Sequence, residues 1–170
     1  ITGLKGMLDG GTAGPTVAVM GELDSLKVPD HPHADPVPGA AHACGHHVQM
    51  GSMLGALVGF KAPGVMDSLA GTLVPFAVPA EEFIEVEKRL AMRDQGKIEF
   101  LGGKPELVKL GEFDDIDMAM MLHTTSNPDE KKLCISETNN GTLAKRIQFI
   151  GRGSHAGGAP HLGINALNAA

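Results

Sequence analysis

Thr72-Leu73-Val74-Pro75-Phe76-Ala77-Val78 is an almost unbroken apolar run, and it leads directly into Pro79-Ala80-Glu81-Glu82. A strand without a polar face must be covered on both sides, the situation of a strand inside a parallel sheet flanked by helices. Two further stretches have the same form. Val17–Met20 leads into Glu22-Leu23-Asp24, and Asp117–Leu122 leads into His123. Helical spacing fills the chain between them. Val48, Met50, Met53, Leu54, Leu57 and Val58 recur along Gly45–Phe60, and Phe83, Val86, Leu90 and Ala91 recur along Glu82–Gln95. The predicted class is therefore α/β, a central mostly parallel sheet flanked by helices.

Ile1–Leu8 and Thr16–Gly21 read as strands around a Gly-rich turn at residues 9–15, and the Pro-rich stretch Lys27–Gly39 reads as a loop carrying His31 and His33. Near Glu137–Gly141 the character changes. Asn139-Asn140-Gly141 is a turn signal, Leu143–Ile150 begins an alternating strand, and Gly163–Ala170 carries a helical pattern. Residues 1–140 are assigned to one domain and 141–170 to the start of a second. The chain opens on a strand and its last helical pattern has no cap, so a larger parent protein is expected.

Charge narrows the partners. With 14 Lys+Arg against 20 Asp+Glu, a net charge of −6 and neither Trp nor Tyr, the 170 residues offer no basic or stacking surface for nucleic acid. The apolar stretches Ser52–Phe60 and Leu69–Ala80 are shorter than the roughly 18 residues of a membrane span. Cys44 and Cys134 are too few for a secreted disulfide framework. No signal peptide is evident, and a cytoplasmic protein without membrane contact is expected.

In open α/β sheets ligands sit outside the carboxyl ends of the strands. Three apolar runs that each end in carboxylate or imidazole thus point to one shared polar site. His42-Ala43-Cys44-Gly45-His46-His47, at the start of a helix, adds thiol and further imidazole, and this mixture suits a transition metal. Each piece alone has an ordinary explanation. A lone Cys is often a small buried hydrophobe, and Glu81-Glu82 could be carboxylates favoured by a helix N-terminus. Their convergence at strand ends is what argues for a site. Consecutive residues on an extended segment point apart, so Glu81 and Glu82 are expected to do different jobs. Gly151-Arg152-Gly153-Ser154-His155-Ala156 superficially matches a dinucleotide fingerprint, but Gly157-Gly158-Ala159-Pro160 stands where the helix should run, and that reading is rejected.

Taken in order, Ala41-His42-Ala43-Cys44-Gly45-His46, Pro79-Ala80-Glu81-Glu82, Leu122-His123 and Gly153-Ser154-His155-Ala156-Gly157-Gly158-Ala159-Pro160 with Gly163-Ile164-Asn165-Ala166 resemble one family. It is the amidohydrolase branch of the aminoacylase/carboxypeptidase-type dinuclear metallopeptidases, which includes hippurate, auxin-conjugate and aminobenzoyl-glutamate hydrolases. The resemblance implies a zinc-peptidase-like catalytic domain interrupted by an α+β lid domain that forms a homodimer. It also implies two divalent ions (Zn, Mn, Co or Ni) and an N-acyl or N-aroyl amino acid or dipeptide-like substrate. By the same resemblance Cys44 would bridge the metals, His46, Glu82 and His123 would be ligands, and Glu81 would be the general base. His155 would approach the substrate carbonyl from the lid, and Asp24 would orient a ligand from behind. His47 stands where the family usually has Asp or Asn, and Gln49 where His is common; the family's last metal-binding His lies beyond Ala170. Two other readings of the same residues are a metal-independent thiol amidase using Cys44 and a non-catalytic metal-binding or assembly module.

Overall fold

The computed structural model describes every residue except Ile1, Pro128, Glu130, Lys131, Ser136, Glu137, Asn139, Thr142 and Ala144. The chain divides into two compact units, Ile1–Pro128 and Asp129–Ala170. In the first, the chain order is β1 (Leu4–Lys5), β2 (Leu8–Asp9), β3 (Thr12–Glu22), β4 (Leu26–Lys27), β5 (Ala40–Ala41), α1 (His46–Phe60), β6 (Ala70–Val78), α2 (Val86–Asp94), α3 (Gly103–Lys109) and β7 (Met118–Met121). Among the described residues no helix is long and apolar enough to cross a membrane.

The three apolar runs form the heart of the sheet. β3 pairs in parallel with β6 on one side, Val17 opposite Leu73, and with β7 on the other, Val17 opposite Met118. Because all three strands run the same way, their carboxyl ends emerge at one edge. β1 and β2 add to the outer side of β6 in antiparallel register, so the predicted first strand is split and pairs with β6 rather than with its chain neighbour. The expected turn at residues 9–15 is correspondingly short, since β3 already begins at Thr12. The core under the sheet consists of Ala18, Met20, Val74, Phe76, Val78 and Leu107, with Phe113 and Ile116 packed against it. The rings of Phe76 and Phe113 lie 5.2 Å apart. Side chains alternate across a strand, so Ala18 and Met20 share their face with Glu22, which is buried with them.

Two helices differ from the periodicity. α1 starts where expected, yet the residues it buries are His46, Gln49 and Met53, while Val48, Leu54 and Val58 are exposed. The polar side chains are inside because the ends of β3 supply their hydrogen-bond partners, and that outweighs the apolar count of the opposite face. α2 begins only at Val86, because Glu85 before it adopts a left-handed backbone (φ 51°). Helix α3, not foreseen in the sequence, is held against the exit of β6. Gly103 donates its N–H to the Ala80 carbonyl at 2.9 Å, and a side chain at Gly103 would drive into the Pro79 carbonyl. β4 and β5 pair across the two ends of the predicted Pro-rich loop Lys27–Gly39.

The second unit is Asp129–Ala170. Arg152 and Ile164 exchange backbone hydrogen bonds of 3.0 and 2.9 Å, and 3₁₀ turns occupy Pro160–Leu162 and Ala166–Ala169. The helical pattern at Gly163–Ala170 thus yields one short turn, capped by Asn165 Oδ1 accepting from the Leu167 N–H at 3.0 Å. Residues 145–150 carry no strand and are exposed. Alternation marks a surface able to pair, and an unpaired strand gains no ladder hydrogen bonds. Of the predicted turn Asn139-Asn140-Gly141, Asn139 lies outside the described residues.

Candidate metal centre

The carboxyl edge of the sheet brings six of the expected residues to one place. β3 delivers Glu22 and, two residues on, Asp24. The segment before α1 delivers Cys44, with His46 opening the helix. The exit of β6 delivers Glu81 and Glu82, and the exit of β7 delivers His123. Between Cys44 and His46 the chain turns through Gly45 at φ 98°, a backbone that a side chain disfavours. Ala80, just before the two glutamates, is also left-handed at φ 57°.

His46 is 1% exposed and central to the cluster. Its Nδ1 lies 2.9 Å from the Asp24 carbonyl oxygen. A carbonyl can only accept, so Nδ1 is the donor in that contact and Nε2 is the nitrogen left to face the site. Nε2 faces acids: Glu22 Oε2 at 2.9 Å, Glu82 Oε1 at 3.7 Å and Glu81 Oε2 at 3.8 Å. His123 repeats the pattern. Its Nδ1 lies 2.7 Å from the Thr124 carbonyl, and its Nε2 lies 3.6 Å from Cys44 Sγ. In both histidines a backbone carbonyl orients the ring and leaves Nε2 for the site, as ligating histidines require. Asp24 reaches across as well, its Oδ1 3.2 Å from His46 Nδ1 and its Oδ2 accepting from the Glu82 N–H at 2.9 Å.

Charge and lone pairs test whether a cation suits this place. His46 Nε2, Glu82 Oε1 and Asp24 Oδ1 are buried without a hydrogen-bond partner, although a Glu22 oxygen stands 2.9 Å from Nε2. Buried lone pairs of this kind are costly unless something positive satisfies them. Ligand atoms of Cys44, His46 and His123 lie within 4.8 Å of one another, and so do those of Glu22, His46 and Glu81. Thiol, imidazole and carboxylate are the donors that zinc and its first-row neighbours accept. The residues fit a divalent metal, with His46 common to both groups.

The titration behaviour has the same cause. Burial, a hydrogen bond to Glu82 and the charges of Glu82, Glu81 and Glu22 push the Cys44 thiol up to about 11. Burial and then the Glu22 charge raise Glu81, against an opposing pull from Lys104. Burial also acts to raise Glu22, but hydrogen bonds from Lys104 and Gln49 and the charges of Lys104 and His46 outweigh it and hold Glu22 below the usual carboxylate range.

Four contributors have no role assigned from the sequence. Glu22 is gripped by Lys104 Nζ on Oε1 and by Gln49 Nε2 on Oε2 at 3.0 Å, while its own N–H donates to Gln49 Oε1 at 2.9 Å. Thr124 donates its hydroxyl to the Cys44 carbonyl at 3.3 Å. Glu22 was detectable, because it shares strand parity with Ala18 and Met20. Lys104 carries no such signal, since it lies on a short helix after two glycines. His42 and His47 are exposed, their rings 5.3 Å apart. His155 belongs to the second unit, where its Nδ1 accepts from the Gly158 N–H at 2.8 Å.

No family model matches the chain. It is 31% identical over 99% of its length to the indole-3-acetyl-aspartic acid hydrolase of Enterobacter agglomerans, covering 37% of that protein. It is 28% identical over 98% of its length to an N-acyl-L-amino acid amidohydrolase of Geobacillus stearothermophilus, covering 41% of it. In three dimensions 75% of the chain superposes on 31% of a dinuclear metal-binding peptidase of the M20 family from Bacillus subtilis, with a TM-score of 0.53 and 23% identity. The chain therefore spans less than half the length of these relatives. The two sequence relatives are named as amide hydrolases, and the chain shares its fold with part of the M20 peptidase.

Proposed function

We propose that this chain, a homologue of metal-dependent amidohydrolases, supplies the metal-binding part of an enzyme that cleaves the amide bond of an N-acyl or N-aroyl amino acid or a dipeptide-like substrate. One observation carries the reading. Two histidines donate Nδ1–H to backbone carbonyls and turn Nε2 toward buried acid and thiol groups, where three polar atoms have no partner. Cys44, His46, Glu82 and His123 are the residues that would hold two divalent ions drawn from Zn, Mn, Co or Ni. Asp24 sits behind, holding the His46 ring and the Glu82 backbone. A bound divalent ion supplies Lewis acidity, drawing the pKa of water from 15.7 toward about 7 and polarising an amide carbonyl.

Glu81 is the proposed general base. Its side chain is 37% exposed, against 17% for Glu82, so it is the acid of the pair that an incoming molecule reaches. Its raised affinity for a proton suits it to take one from the attacking water and return it to the leaving amine. His155 is proposed to approach the substrate carbonyl from a lid domain begun by residues 141–170, which also forms the homodimer. Relatives named for hydrolysing indole-3-acetyl-aspartate and N-acyl-L-amino acids support the substrate class. A thiol amidase is not favoured, because a nucleophilic Cys needs a lowered pKa and that of Cys44 is raised.

Metal analysis and hydrolysis of an acyl-amino-acid panel test the proposal together. Glu82→Ala is expected to lose metal, whereas Glu81→Gln keeps metal and loses about 10²–10⁴-fold in turnover. Hydrolysis that survives complete chelation would overturn the metal role, and normal turnover in Glu81→Gln would overturn the base assignment.

A further inference from the structure

By distance alone Glu22, not Glu82, is the acid nearest Nε2 of His46, at 2.9 Å against 3.7 Å. The two carboxylates differ in what else they touch. Both oxygens of Glu22 are committed, Oε1 to Lys104 Nζ and Oε2 to Gln49 Nε2. Glu82 Oε1 is buried with no hydrogen-bond partner. Lys104 is placed by α3, whose first residue Gly103 is tied to the Ala80 carbonyl just ahead of Glu81 and Glu82. The same helix is braced by buried Glu106, whose Oε2 accepts from the N–H groups of Glu99 and Phe100 at 2.9 and 2.8 Å. An ammonium on so anchored a helix, set against a carboxylate that is 1% exposed, is a built part of the site.

We propose that Lys104 is a positioning residue of the metal centre: by pairing with Glu22 it keeps the nearest carboxylate out of the ligand set and leaves the metal to Cys44, His46, Glu82 and His123. This rests on the metal-centre reading above and adds what selects among its acids. The charge of Glu22 is met by Lys104, so a divalent ion gains little from it. Without Lys104, Glu22 becomes a bare buried anion beside His46, free to turn Oε1 toward the metal.

Co²⁺ is the probe, because its visible spectrum reports the ligand set and its affinity can be read by competition with a chelating dye. Lys104→Met is expected to bind Co²⁺ more tightly, by about tenfold or more, as an uncompensated charge at short range implies, and with an altered spectrum. Lys104→Arg is expected to match the wild type in both. The double variant Glu22→Gln/Lys104→Met, which removes both charges and retains an amide for Gln49, is expected to return to wild-type spectrum and affinity. It is also expected to restore folding if Lys104→Met alone unfolds. Unchanged Co²⁺ binding in Lys104→Met, or a double variant that fails to recover, would overturn the role of Lys104 while leaving the metal centre in place. A wild-type protein that takes up no Co²⁺ would overturn both.

Discussion

Gly45 lies between two proposed ligands, Cys44 and His46, so Gly45→Ala perturbs the centre without touching a donor atom. The substitution carries two costs. The backbone there is at φ 98°, and forcing an L side chain into left-handed geometry costs about 1–2 kcal/mol. The new methyl would also meet Thr124, overlapping its hydroxyl oxygen and standing 3.2 Å from its Cβ and Cγ2. Such overpacking costs about 1–3 kcal/mol. The expected loss is about 2–5 kcal/mol, a large share of the roughly 5–15 kcal/mol available to a domain. Urea unfolding of the metal-free chain measures it. Because Thr124 also donates to the Cys44 carbonyl, the displacement is expected to weaken Co²⁺ binding as well. Thr124→Ala in the same chain removes the clashing hydroxyl but not the backbone strain, so it should recover only part of the loss. A Gly45→Ala chain within about 0.5 kcal/mol of wild type, the usual size of an inconsequential substitution, would refute the reasoning. Complete rescue by Thr124→Ala would refute its backbone half.

Gln49→Leu keeps the volume but leaves the Glu22 N–H and Oε2 without their amide partner. The expected cost is about 2–4 kcal/mol by urea unfolding, and a cost below about 1 kcal/mol would mean Glu22 finds another partner. At the surface, the hydrogen bond from Lys5 at 2.5 Å lowers the Asp115 pKa from its ordinary 3.8. The sign comes from that depression: the pair stabilises the fold above pH 3.8 and is lost as pH falls through the lower folded value. Asp115→Asn should therefore be slightly less stable at neutral pH in low salt, with the difference vanishing in strong acid and shrinking with added salt. Thermal melts across pH check this, and a gap that persists in strong acid would contradict it.

From sequence alone the apolar runs at Val17–Met20, Thr72–Val78 and Asp117–Leu122 determined a mostly parallel sheet, since strands without a polar face need cover on both sides. They also determined where chemistry would gather. Asp24, Glu81, Glu82 and His123 come directly after those runs, and parallel strands deliver the residues at their carboxyl ends to one edge. Local signals of this kind survive because they depend on neighbours in the chain. Tertiary structure decided the rest. Which face of α1 is buried turned on His46 and Gln49 finding partners at the end of β3, a contact 22–27 residues away that outweighs local hydrophobic count. Where the first strand pairs was decided by the free edge of β6. Residues 145–150 of the strand predicted at Leu143–Ile150 form no strand, because a ladder depends on a neighbour and not on the alternating pattern alone. Lys104 entered the centre from a helix with no sequence signature, 82 residues beyond Glu22. The kinds of donor can be read along the chain, but which of them are satisfied, and which are left for a metal, depends on distances that only the folded molecule sets.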